Sequence, residues 1–144
     1  MWQAKYEKTY PGLRKEAVWA AWAAWADVNS WPKWDSDTEF TQISGPFEPG
    51  TQFVLKPKGG PKVSIQLAEV KVLSGFTDVT RFPLAKMYGT HEMEEIPGGL
   101  KIRTAIRVEG PLSWVWRKIV AEGVAASAAK QTDELAAFVL KQQK

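Results

Sequence analysis

The stretch KMYGTHEMEEIPGGLKIRTAIRVEGP, residues 86–111, decides the fold. Two alternating runs, Lys86 to Glu95 and Lys101 to Glu109, flank Pro97-Gly98-Gly99. Period-two alternation marks half-buried strands, and Gly-Gly suits the positive φ that tight hairpins need. The spacing predicts an antiparallel hairpin. With Gly98-Gly99 as the loop, Pro97 faces Leu100, Met93 faces Thr104, His91 faces Ile106 and Gly89 faces Val108. That register puts Met87, Gly89, His91 and Met93 on one face with Ile102, Thr104, Ile106 and Val108. The single histidine of the chain falls on the apolar side of a sheet. Gly110-Pro111 ends the second run and opens a long helix, Pro being tolerated at a helix's first position. Along it Trp116, Val120, Val124, Ser127, Gln131, Leu135 and Phe138 recur at steps of three and four, with Glu122 and Asp133 opposite.

Upstream, residues 3–9 alternate weakly and stop at Pro11-Gly12, as a short first strand would. From Arg14 the period becomes helical, and the alanines between Ala17 and Ala26 interleave with Trp19, Trp22 and Trp25. Tryptophans three apart drift by about 60° per step and share one broad face, so this helix lies against something apolar and one of them, such as Trp22, is left exposed. Ser30 with Pro32 starts a second helical turn carrying Trp31 and Trp34. Phe40 to Ile43, Thr51 to Lys56 and Phe76 to Phe82 read as further strands, as does the run in which Val63, Ile65 and Leu67 oppose Ser64 and Gln66. Strands in succession, flanked by helices, predict an α+β fold with an antiparallel sheet of about seven strands. A sheet with one apolar face and one long helix to cover it curls round that helix and leaves a cavity.

Composition bounds the function. At 144 residues, 44% hydrophobic and 24% charged, the chain has the size and make-up of one globular domain, expected to span residues 1–144. It has no cysteine, which excludes disulfides, thiolate metal sites and a catalytic Cys; one histidine excludes multi-His metal sites. Glu92, Glu94 and Glu95 alternate along a strand and do not predict a metal site. A net charge of +3 is too small for a nucleic-acid footprint, and Lys56, Lys58 and Lys62 read as a solvated hairpin tip. The longest apolar run, Ala17 to Ala26, is far short of the ~20 residues that span a bilayer, and nothing at the N-terminus looks like a secretory signal, so a cytoplasmic location is expected.

Val18-Trp19 with Ala26-Asp27, Trp31-Pro32-Lys33-Trp34, Phe82-Pro83 with His91-Glu92-Met93, and Glu109-Gly110-Pro111-Leu112 together resemble the landmarks of the SRPBCC superfamily. That group holds polyketide cyclase/dehydrase-like proteins, START lipid-transfer domains and birch-pollen-allergen proteins. The resemblance runs from about residue 3 to 140 and implies the helix-grip fold, in which a curved sheet wraps a long C-terminal helix. It implies a small hydrophobic molecule as the partner and no cofactor. The superfamily spans ligand carriers, cyclases and co-chaperones, so fold does not give function.

The expected cavity is lined by Phe53, Leu55, Val63, Ile65, Leu67, Phe76, Met87, Met93, Ile102 and Ile106 from strands, and by Trp116, Val120 and Val124 from the long helix. His91, beside Thr104, is the only side chain whose ordinary pKa of about 6.5 suits acid–base work near neutrality. It either orients or protonates a ligand oxygen, or is a core histidine hydrogen-bonded to Thr104 or a backbone carbonyl. Asp78 is its candidate supporting carboxylate. If Phe76 faces His91, Asp78 lies inward next to Gly89; if Thr77 faces His91, Asp78 points to solvent. The rarity of unpaired buried carboxylates favours the second. The shortage of acid–base partners ranks binding above a cyclase or dehydratase activity using His91, and a protein-interaction module of the co-chaperone kind stands third. The small residues from Gly123 to Ala129 fit a close helix contact or a ligand portal equally.

Overall fold

The chain runs through β1 (Trp2–Tyr10), α1 (Lys15–Ala20), a 3-10 turn at Val28–Ser30, α2 (Trp31–Trp34), β2 (Thr38–Ile43), β3 (Gln52–Pro57), β4 (Val63–Lys71), β5 (Gly75–Phe82), β6 (Ala85–Ile96), β7 (Gly99–Glu109), α3 (Ser113–Trp116) and α4 (Glu122–Gln143). This computed structural model describes residues 2–20, 25–43, 45–60 and 62–143; the expectation placed on Trp22 lies outside them. The seven strands form one antiparallel sheet in the order β1-β7-β6-β5-β4-β3-β2. Consecutive strands pair from β2 to β7, and β1 closes onto β7.

The β6–β7 hairpin turns on Pro97-Gly98, not on Gly98-Gly99: Ile96 pairs with Gly99. Proline presets the first central position of such a turn, and Gly98 supplies the positive φ, 101°, at the second. The register is therefore displaced by two from the expected one. His91 faces Thr104, Met93 faces Ile102, Gly89 faces Ile106 and Met87 faces Val108. A slip of two preserves the faces, so Leu100, Ile102, Thr104, Ile106 and Val108 are all buried on the concave side.

The C-terminal helix departs from the sequence reading in phase. Pro111 lies in a turn ahead of it, where the Leu112 amide donates to the Leu84 carbonyl at 3.1 Å, and helix begins only at Ser113. Between α3 and α4, Arg117–Ala121 forms a π turn. The extra residue moves everything beyond it by about 100° relative to an unbroken helix. The buried stripe runs from Trp116 to Ala121 and Ala125, then Ala128, Thr132, Leu135 and Val139. Val120 and Val124 are thereby turned from the expected inward positions, and Val124 is 39% exposed.

Two buried apolar clusters result. The larger joins Trp19, Trp25, Trp31 and Trp34 to Phe53, Leu67, Phe76 and Ile102 of the sheet and to Leu135 and Val139 of α4. The smaller joins Ala85, Ile106 and Val108 to Ala121, with Trp2, Met87 and Trp116 packed against it. Polar clamps fix α4 over them. Asp35, buried at the end of α2, accepts hydrogen bonds from Thr38 Oγ1 at 2.9 Å and Gln131 Nε2 at 3.0 Å. At β1, the Tyr10 phenol donates to Asp133 at 2.6 Å, and Lys8 Nζ meets the same carboxylate oxygen at 3.1 Å.

Candidate functional site

Between the two clusters the concave face turns polar. Phe76 pairs with His91 and Asp78 with Gly89, so Asp78 lies inward beside the histidine. The expectation of an outward Asp78 is corrected, for three physical reasons. The β5–β6 turn uses only Pro83 and Leu84, because Phe82 already pairs with Ala85, and this fixes the register. The carboxylate has a partner within ion-pair distance: Asp78 Oδ2 lies 3.7 Å from His91 Nε2, an ion pair when the imidazole is protonated. Gly89 supplies the space, since a Cβ there would stand 2.9 Å from Asp78 Oδ1. A glycine within an alternating strand is the sequence signal for such close approach.

Both side chains are nearly covered, 14% exposed for Asp78 and 15% for His91. The imidazole stacks on Phe76 with ring centres 4.8 Å apart, and Trp25 lies over it at 5.7 Å. Thr104 faces His91 from β7, and Tyr6 faces Thr104 from β1. Thr80 lies two residues beyond Asp78 on β5. Thr80 and Thr104 are both buried, and neither hydroxyl meets a hydrogen-bond partner among the described residues. Among the described residues His91 makes no side-chain hydrogen bond to Thr104 or to a backbone carbonyl; its polar neighbour is Asp78, at 3.7 Å. The two hydroxyls are thus free to meet a ligand oxygen beside the carboxylate and imidazole; the fully buried polar side-chain atoms without a partner among the described residues, Trp34 Nε1 and Arg107 Nε, lie elsewhere. Chemically, Phe76 and Trp25 hold the ring beside the carboxylate, and the ring and hydroxyls present donors and acceptors to an oxygen function.

The expected lining residues divide between the two sides of this seam. Phe53, Ile65, Leu67, Phe76, Met93 and Ile102 lie in the larger cluster with Leu55 and Val63 at its margin. Ile106 lies in the smaller, with Met87 and Trp116 against it. Trp25, Thr80 and Ala121 are not among the residues the sequence reading places here. The stretch from Gly123 to Ala129 is split: Ala128 is buried, while Gly123, Ala126 and Ser127 face outward. An open cleft of about 380 Å3 at the ends of β4 and β5 reaches the seam at Thr80, lined also by Val63, Gln66 and Arg81. Among the described residues no group of His, Asp and Glu converges to hold a metal ion. No helix among them is long and apolar enough to cross a membrane.

No family model matches the sequence, and no curated protein matches it significantly. Solved structures do match its shape. Ara h 8.0201 superposes with a TM-score of 0.69 over 96% of this chain and 97% of its own, at 17% identity. The fold is the helix-grip fold. The protein jhp0584 of Helicobacter pylori shares it at a TM-score of 0.74 and 15% identity, over 95% of this chain and 87% of its own. DynU16, from the dynemicin biosynthetic locus, shares it at 0.69 and 15% identity, with 99% of this chain covering 48% of that one. At these identities the likeness establishes the helix-grip fold alone.

Proposed function

We propose that this helix-grip chain is a carrier or sensor for a small, largely apolar molecule, lipid-like or aromatic, that carries at least one oxygen function. The observation that supports this reading is the interruption of the core: two apolar clusters separated by Asp78, His91, Thr80 and Thr104, with both hydroxyls open among the described residues. Apolar walls supply affinity. Hiding 200 Å2 of apolar ligand at ~25 cal/mol per Å2 gives about 5 kcal/mol before entropic costs. The polar seam supplies orientation, His91 and the threonines meeting the ligand oxygen. Trp25, over His91, is the cover that gives way, and the cleft at Thr80 is the approach.

Native mass spectrometry of the freshly purified protein tests this, together with titration by 1-anilinonaphthalene-8-sulfonate followed through amide shifts at Asp78, His91 and Thr104. A retained small molecule, or saturable shifts at those three amides, is the expected result. The absence of both a retained molecule and any saturable shift at those amides would refute it.

One distance favours a second reading. With Asp78 Oδ2 3.7 Å from His91 Nε2, a shift of less than about 1 Å on substrate binding would make the hydrogen-bonded acid–base pair that a cyclase or dehydratase of poly-keto substrates needs. His91→Ala separates the readings: a carrier keeps most of its ligand affinity, whereas an enzyme loses turnover.

A further inference from the structure

Six large apolar side chains stand exposed among the described residues, and four of them, Leu84, Trp114, Ile119 and Val124, belong to one end of the molecule. The β5–β6 turn and the start of the C-terminal helix are stitched together there: Leu112 donates to the Leu84 carbonyl at 3.1 Å, and Trp116 Nε1 donates to the Pro83 carbonyl at 3.0 Å. Leu84 is 64% exposed, Trp114 64% and Ile119 65%. Ile119 lies within the π turn.

Leu84 also adopts φ 58°, at the turn position that glycine suits best. An L side chain is disfavoured in that conformation. Its exposed side chain adds little burial in return, so the leucine is better explained by contact with something outside the chain. The charge around it is net positive, with Arg81, Lys86, Arg117 and Lys118 against Glu109 and Glu122. The carboxylates at this end are already engaged, Glu109 with Arg107 at 3.0 Å and Glu122 with Arg117 at 2.9 Å. Lys86 and Lys118 are exposed and form no ion pair among the described residues. A cleft of about 440 Å3 beside Leu84 is lined by Arg81 and Lys86, with Glu109 its one carboxylate among the described residues. Exposed Trp and aliphatic side chains flanked by unpaired cations have the composition of a surface that sits at a membrane interface, with the ring at headgroup level and the cations on anionic lipid.

We infer that this end of the molecule docks on anionic lipid bilayers, inserting Leu84, Trp114 and Ile119 while Lys86 and Lys118 meet the headgroups. Co-sedimentation of the full chain with phosphatidylcholine vesicles, and with phosphatidylcholine–phosphatidylserine vesicles, tests it. Partition is expected onto the anionic vesicles, weakening as salt rises. Lys86→Gln and Lys118→Gln each lower it by about fivefold. Trp114→Ala and Ile119→Ser lower it by about tenfold or more. Leu84→Gly suits the turn, so its loss of binding cannot come from misfolding. Val72→Ser, which alters an equally exposed residue in the β4–β5 turn, leaves partition unchanged. Absence of partition onto anionic vesicles at low salt overturns the inference, as does equal loss in the Val72→Ser control. A Trp114-dependent dimer in sedimentation velocity without vesicles also overturns it, assigning the face to a second copy of the chain.

Discussion

Replacing Gly89 by alanine tests whether Asp78 lies inward over the β6 backbone. The new Cβ would sit 2.9 Å from Asp78 Oδ1, whereas ordinary contact begins at 3.4 Å, so the carboxylate oxygen must retreat by that difference. It has little room. Leu67, fully buried, pairs with Asp78 on its other side, and His91 is 3.7 Å from Oδ2. Overpacking of this kind costs about 1–3 kcal/mol. Removing a strand glycine returns about 0.5–1 kcal/mol. The net expectation is a loss of about 1 kcal/mol, or roughly 3–4 °C in melting temperature for a chain of this size. In an Asp78→Ala background the obstructing oxygens are gone, and Gly89→Ala should then stabilise by about 0.5–1 kcal/mol. Urea unfolding of the four members of this cycle measures the coupling, expected at about 1–3 kcal/mol. If the two substitutions add within about 0.5 kcal/mol, the carboxylate does not lie over Gly89 and the proposed seam is refuted.

Two further outcomes concern the clamps and turns. The Tyr10 hydrogen bond first, and Lys8 second, hold the Asp133 carboxyl below its ordinary 3.8. Its stabilisation is therefore full above about that pH and is lost as pH falls through the lowered native value. Burial and the Asp133 hydrogen bond push the Tyr10 phenol above its ordinary 10.0, so its contribution is full below that pH and fades as pH rises past it. Urea midpoints against pH should show both limbs, and Tyr10→Phe should flatten both; Lys8→Ala should change the acid limb less, because that ion pair is half exposed. Leu84→Gly should raise stability by about 0.5–1 kcal/mol by relieving the positive φ, read as a higher urea midpoint at unchanged slope. An unchanged or lower midpoint would refute the strain argument.

The faces of the strands were legible because alternation has period two: Ile102, Thr104 and Ile106 are inward whichever even register the hairpin takes. The register itself was not, since Pro97-Gly98 and Gly98-Gly99 both offer acceptable turns and differ only in where the proline sits. Asp78 was misjudged for a related reason. Its cost of burial is offset by His91 and by the space over Gly89, and both belong to the neighbouring strand. Pairing across strands, rather than the character of one residue, decided its side.

The phase of the C-terminal helix follows the same logic and bears on the site. Steps of four from Trp116 reach Val120 and Val124; the structure steps by five to Ala121, then by four to Ala125. The π turn sets two demands in register at once. Trp116 stacks on Phe82 at 4.5 Å while donating to Pro83, and further along Leu135 and Val139 fill the larger cluster. An unbroken helix would satisfy one end and miss the other by about 100°. The consequence is that alanines, not valines, face the smaller cluster and the seam beside it, keeping the helix side of the site shallow. Ala121→Val therefore adds bulk where Ala121, buried against Ile106 and Val108, has none to spare, and it reshapes the seam from the helix side as Gly89→Ala does from the sheet.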